Sequence, residues 1–377
     1  MDQIIVMKFG GTSLRNENSR SHAINHIRFN LELGKKIVVV VSAMGRKGEP
    51  YATDTLIALL KNIGEPINPS ELDSVISIGE TLSASIFSHL LNKNNIPAES
   101  FTGRKAGILT DNNHGNAEII KIDPTRLKNT LNQNKIAVVA GFQGINRDGD
   151  VCTLGRGGSD TSAVALGSAI NAESVEIYSD VDGIANCDPN KIQEASFIEE
   201  ISVKQVLNIT NEGSKVLHPR AVKTSMKSST KIILRNTFSN VKGTTIYHGT
   251  HHEKNEQVIL SHRENMTLIK INSKHFLKKM FPEMILIDKN RGVFENDTYL
   301  DSRIKELQNF HGKIKKEHGW ATISVVFGKN VFDKALIPNA EIIYTNENLI
   351  RYLLKENKLE ISLRLLFDYY KLNSKKS

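Results

Sequence analysis

The chain holds 377 residues with a formal net charge of +8 and an isoelectric point near 9.2, a length that predicts about two domains. Its two cysteines, Cys152 and Cys187, exclude a disulfide framework, and without metal-ligand company they give no zinc site, so a reducing compartment is expected. No apolar run approaches the roughly 20 residues that cross a bilayer, and MDQIIVMKFGG lacks the charged flank and cleavage site of a signal peptide, so the expectation is a soluble, cytoplasmic protein with no membrane partner.

The positive excess lies mostly in the last third, in GKIKKEHGW and LNSKKS. No stripe of basic residues interleaved with aromatics goes with it, so solvated lysines explain it and no nucleic-acid partner is expected. The net sign favours small anions by steering.

In chain order, QIIVMKFG, KIVVVVSAMG, KIAVVAGFQG and SVEIYSDVDG are β-branched runs, each stopped by a glycine. The near-continuous apolarity of the second and third suits strands covered on both faces. Between them ELDSVISIGETLSASIFSHLLNKNN places Leu72, Ile76, Leu82, Ile86 and Leu90 at helical spacing, and DTSAVALGSAINA opens a helix of small apolar residues. This alternation through about residue 240 is an α/β pattern. Past residue 250 a polar, charged HHEKNEQ precedes a texture rich in Lys, Asn and Ile, and a domain boundary is placed there.

Ligands of open α/β sheets bind outside the carboxyl ends of the strands. Lys8, Phe9, Gly10, Gly11, Thr12 and Ser13 put a cation, two glycines and two hydroxyls at such an end, which makes a phosphate cradle; a plain strand-to-helix turn is the competing reading. In TLGRGGSDTSA, Arg156 offers a bidentate fork beside the bare backbone of Gly157 and Gly158, suited to a carboxylate or phosphate. Asp160 then either orients a nearby lysine or caps the helix.

These motifs, with VVVVSAMG, ISIGETLSA, AGFQG, YSDVDGIANCDP and GSKVLHPRAV, stand in the order found in aspartate kinases of the amino acid kinase superfamily, which residues 1 to about 250 resemble. The resemblance implies a three-layer α/β/α sandwich on a mostly parallel sheet, followed by a smaller α+β ACT-like domain. It implies ATP and L-aspartate as substrates, Mg2+ as cofactor, 4-phospho-L-aspartate and ADP as products, a place in amino-acid biosynthesis such as that of lysine, and a homodimer or higher homo-oligomer. The nucleophile is a carboxylate already ionised at neutral pH, so no general base is needed. Catalysis then rests on alignment and on cations near the transferred group. Lys8 is the first candidate and, by resemblance, Lys215 the second, with Asp160 beside them. The resemblance gives Glu80 the α-amino group and Arg156 a carboxylate, with Ser42, Thr53, Gly157, Gly158 and Ser159 lining the pocket. It gives the nucleotide to Lys8, Phe9, Gly10, Gly11, Ser179, Asp180, Asp188, Lys191 and Lys215. His114 falls in a loop that the family folds over the substrate. The family commonly has Arg after the Asp-Pro pair, where this chain has Asn190 and then Lys191; either Lys191 substitutes or nucleotide affinity falls. Mg2+ is expected on ATP phosphates and water rather than in a protein cage.

The domains are therefore 1–250, catalytic, and 251–377, a diverged or truncated ACT-like regulatory or dimerisation module. In the latter, NMTLIKINSKHFLKKMF is read as strand and helix, ATISVVFGKN as a strand, and NENLIRYLLKENKLEISLRLLFDYY as one or two helices with Leu353, Leu354, Leu359 and Leu363 inward. No clear glycine turn follows LIKIN, which predicts weak inhibition or none by lysine and threonine. The alternatives are another carboxylate kinase, of glutamate type, or a non-catalytic regulatory homologue. The forms GETLSA and GRGGSDTSA disfavour the first, and the joint presence of Lys8, Glu80, Arg156 and Asp160 disfavours the second.

Overall fold

The computed structural model describes residues 3–214, 216–228, 230–249, 257–271, 284–296, 300–311, 313–328 and 333–373. They divide into two compact units, the first made of Met1–Ile184, Phe197–Leu207 and Lys215–Thr250. Its strands are β1 (Ile4–Phe9), β2 (Lys36–Val41), β3 (Ala98–Phe101), β4 (Ile108–Thr110), β5 (Ile119–Ile122), β6 (Ile136–Ala140), β7 (Gln143–Ile145), β8 (Val151–Thr153), β9 (Ser174–Ser179), β10 (Glu200–Ser202), β11 (Lys231–Asn236) and β12 (Thr244–Tyr247). Eight of them order β10-β12-β11-β9-β1-β2-β6-β3, and the other four order β5-β4-β7-β8. In the large sheet every neighbouring pair is parallel except β11 with β12.

Alternation along the central strands decides what each face meets. Ile5, Met7 and Phe9 join Ile37, Val39, Val41, Ile136, Val138 and Ala140 in a core closed by α1 (Glu17–Glu32) and α3 (Pro69–Lys93). Val6 and Lys8 point to the opposite face. There α5 (Gly158–Ile170) lies close, since a Cβ on its Gly167 would stand 3.6 Å from Val6 Cγ2. Helices on both faces of a mostly parallel sheet make the three-layer sandwich. The remaining helices of this unit are α2 (Thr53–Ile63), α4 (Thr125–Asn132) and α7 (Pro219–Met226); α6 (Val203–Asn211) begins in it.

Helix α3 corrects one reading. Ile86 is exposed, and Leu82 and Leu90 sit only at the edge of the core. The buried stripe is Asp73, Ile76, Glu80, Ser83, Phe87 and Leu91. Two carboxylates, two helical turns apart, occupy a face that apolar periodicity assigns to hydrophobic side chains. By length and hydropathy α3 would also pass for a membrane span. A first half carrying the buried Asp73 and Glu80 makes it a core helix instead.

The second unit collects Ala185–Ser196, Asn208–Ser214 and His251–Ser377. Its strands β13 (Ile259–Ile271), β14 (Ile285–Leu286), β15 (Arg291–Glu295), β16 (Ile314–Val326), β17 (Glu341–Asn346) and β18 (Leu349–Lys355) form an antiparallel sheet ordered β14-β15-β13-β16-β18-β17. Helix α8 (Leu300–His311) covers one end, its Leu300, Ile304 and Leu307 packing on Ile269, Met284 and Phe294. Helix α9 (Leu359–Asn373) covers the other, with Leu359, Leu363, Leu366 and Tyr370 on Ile323, Val325 and Tyr352. An antiparallel sheet with helices packed on it fits the expected α+β ACT-like architecture. The helix expected after LIKIN, and the turn leading to it, lie outside the described residues. LIRYLLK is strand rather than helix. Leu353 and Leu354 are adjacent and both buried, which a strand achieves by sending them to opposite faces: one packs with Met266 and Val293, the other beneath α9.

Candidate active site

The loops after β1, β2, β6 and β9 meet at one edge of the large sheet. Ser42 N–H donates to Phe9 O at 3.1 Å, Gly141 N–H to Val41 O at 3.0 Å, and Gly10 N–H to Tyr178 O at 3.4 Å. The approach is close enough to require glycine, because a Cβ on Gly11 would lie 2.5 Å from Ala43 O. Phe9 itself is core, stacked on Tyr178 with ring centroids 4.8 Å apart, so only its backbone faces the edge.

Lys8 is buried, and its Nζ stands 2.5 Å from Asp160 Oδ1. Strand alternation puts Lys8 on the α5 face, and Asp160 lies in the first turn of α5, whose N-cap is Gly157 with φ +68° and no side-chain cap. Asp160 therefore holds a lysine rather than capping its helix. Ser159, one residue earlier, is buried against Gly141, where a Cβ would come within 2.8 Å of its own Cβ.

Glu80 is 3% exposed. Its Oε1 accepts the Ala43 N–H at 3.0 Å, while Oε2 has no partner. Burial pushes its pKa up to about 8, against the pull of the Ala43 and Glu80 N–H groups and of the Lys8 charge. Glu80 is thus a buried acid group with one oxygen unpartnered among the described residues and within the field of Lys8. Arg156 is exposed and has no ion-pair partner among the described residues. Ser42 and Thr53 are half-buried in the loop after β2 and at the start of α2.

Two groups that sequence reasoning missed tie together the loops around residues 114–117 and 152–154. Asp73, fully buried, accepts Thr153 N–H at 2.9 Å, Thr153 Oγ1 at 2.5 Å and Gly115 N–H at 3.0 Å, with His114 Nδ1 at 3.0 Å. Cys152 Sγ is 3.6 Å from the same His114 nitrogen. This Asp–His–Cys trio has metal-ligand chemistry, but both carboxylate oxygens already take N–H or O–H donors and burial raises the Cys152 pKa, so it is a hydrogen-bonded hub. Arg220, at the start of α7, donates to Leu154 O and to Ala117 O. An acidic residue near the start of a largely apolar helix was the available signal for Asp73. Arg220 gave none, because its partners are mostly backbone carbonyls.

The proposed nucleotide residues divide. Ser179 ends β9 and Asp180 follows it at this edge, where Asp180 pairs with Arg46 at 3.1 Å, both Asp180 and Arg46 exposed. Asp188 and Lys191 belong to the second unit; Lys191 Nζ lies 2.7 Å from Glu264 and 3.4 Å from Glu360, and Asp188 accepts from Asn190 N–H at 2.9 Å. Lys215 is outside the described residues.

Gly157 supplies a stability test. Its φ is left-handed, and a Cβ there would overlap the His218 side chain. Gly157→Ala is expected to lower unfolding free energy by about 2 kcal/mol or more, measured by urea titration; a loss under about 0.5 kcal/mol would contradict the geometry.

The sequence pattern of the amino acid kinase family matches residues 3–236. Aspartokinase 1 of Bacillus subtilis strain 168 is 42% identical over 299 residues, 77% of this chain and 74% of that protein. The aspartokinase of Geobacillus stearothermophilus is 42% identical over 243 residues, 64% of this chain and 58% of that protein. Among solved structures, E. coli aspartokinase III in complex with aspartate and ADP matches with a TM-score of 0.72 over 96% of this chain and 98% of that one, at 23% identity.

Proposed function

Because the chain belongs to the amino acid kinase family, and within it to the aspartokinases, we propose that the edge carrying Lys8, Glu80 and Arg156 is where it phosphorylates the β-carboxylate of L-aspartate with ATP. The carrying observation is the buried Glu80 with a free oxygen, set near Lys8. An amino-acid substrate brings an ammonium that this oxygen accepts, and binding it there lets Glu80 ionise. Arg156 takes a substrate carboxylate with its free fork. The β-carboxylate attacks as it stands, so the protein's task is to align it and to neutralise charge on the phosphoryl group.

Lys8 supplies that cation. Asp160 fixes its ammonium while leaving donors for phosphate oxygens. The Gly10–Gly11 backbone admits the phosphates, with Ser42, Thr53 and Ser159 offering hydroxyls around the amino acid. Mg2+ completes the proposal: Asp160 is engaged by Lys8, and Asp182 by Asn236 and Ser239, so an ion carried on ATP phosphates and water suits this edge better than a carboxylate cage. Bound there, it would neutralise phosphate charge.

The test is ADP release with L-aspartate, Mg2+ and ATP, with the acyl phosphate trapped as its hydroxamate. Turnover dependent on L-aspartate is expected, with glutamate and acetylglutamate at least about 100-fold poorer in kcat/KM. Preference for another carboxylate would overturn the substrate assignment.

A further inference from the structure

We infer that Arg220 is a positioning residue for aspartate recognition, acting through Arg156; the inference rests on the reading of Arg156 as the carboxylate-binding residue. Arg220 is the second residue of α7, a helix fixed at its start by Pro219 and by the His218 ring, which accepts the Arg220 N–H at 3.3 Å. From that anchor the guanidinium spans two loops. Nη1 donates to Leu154 O and to Asn116 Oδ1 at 3.0 Å, and Nη2 donates to Ala117 O at 2.6 Å and Asn116 O at 3.3 Å.

Leu154 is fully buried and stands two residues before Arg156. The turn that follows is built from glycines, Gly155 with φ +72° and Gly157 with φ +68°. Such a turn has little stiffness of its own, so its exposed arginine points where the ends of the turn are held. One end is the Leu154 carbonyl on Arg220. The other is Gly157, packed against His218, the residue that caps the helix carrying Arg220. The same guanidinium fixes residues 116 and 117, whose loop abuts the turn at Gly115 O, 2.9 Å from where a Gly155 Cβ would sit. One planar fork thus sets the turn and the neighbouring loop together. Its four acceptors among the described residues are neutral, so no carboxylate among them cancels its charge, which adds to that of Arg156 in attracting an anion. A lysine would keep the charge and lose the fork.

The experiment is a double-mutant cycle of Arg220→Ala with Arg156→Ala, reading KM for L-aspartate and for ATP separately. Arg220→Ala is expected to raise the aspartate KM about ten-fold with kcat and the ATP KM within about three-fold, and to add less than about two-fold in the Arg156→Ala background. Arg220→Lys is expected to raise the aspartate KM as well, and it decides the cycle if the alanine variant fails to fold. Equal damage to both KM values, or effects that multiply in the double variant, would show a general structural role and overturn the inference. If Arg156→Ala raises the aspartate KM while neither Arg220 variant does, the positioning role falls and the site reading stands. An aspartate KM unchanged by Arg156→Ala would instead overturn that reading, and this inference with it.

Discussion

Lys8→Ala is expected to lower kcat by about 10²–10³-fold, the effect of removing one charge-stabilising donor from the proposed phosphoryl-transfer site. The geometry adds a second consequence. Lys8 and Asp160 are 2.5 Å apart with side chains only 11% and 16% exposed, so deleting the ammonium leaves a mostly buried carboxylate unpaired, a loss that reaches a few kcal/mol when such a pair is broken. Lost activity alone would therefore not separate chemistry from unfolding. The pair Lys8→Ala with Asp160→Asn removes the stranded charge. It is expected to recover much of the thermal stability and none of the activity. If the double variant turns over at near wild-type kcat, Lys8 is not the cation that acts on the phosphoryl group.

Glu80→Gln is expected to produce opposite changes in stability and activity. A glutamate whose pKa rises from its ordinary 4.5 to about 8 in the folded chain binds its proton more tightly folded than unfolded. Its ionisation therefore costs folding free energy that is absent below pH 4.5, grows as pH rises to about 8 and is constant above, reaching on the order of a few kcal/mol. Glutamine removes that cost, so without ligand the variant gains stability over wild type, most at pH 8 and above and not at all near pH 4. The ammonium of L-aspartate loses its counter-charge, and kcat/KM for aspartate falls about 100-fold. In the wild type, kcat/KM for aspartate is expected to rise with pH until about 8, since on the proposed reading ionised Glu80 is the form that pairs with the ammonium, with Lys8 the cation opposing its protonation. Thermal melts across pH and initial rates at low aspartate measure both. A glutamine variant less stable than wild type at pH 8, or with unchanged kcat/KM, would remove Glu80 from the site.

The large sheet was legible because parallel strands covered on both faces must be apolar along their length, and KIVVVV and IAVVA are. Lys8 stood out for the same reason, as the one charge in such a run just before two glycines. Helix α3 was misread because the positions that face inward carry Asp73, Ser77, Glu80 and Ser83, which interrupt the apolar period and leave the rim residues Leu82 and Leu90 as the visible pattern. LIRYLLK has spacings that suit either a helix or a doubly buried strand, and only its partners β16 and β17 decide. Arg220 was silent because a guanidinium bonded mostly to distant carbonyls leaves no complementary residue type in the sequence to find.

Strands β13 and β16 each run thirteen residues and pair along most of their length, the α8 end packing one core and the α9 end another. The two cores are thus joined like planks on common joists. Neither can be lost by shortening the gene without halving both long strands and baring the apolar face of what remains. A lineage economising on this region can prune loops and turns between the strands, but its two ends must be inherited together.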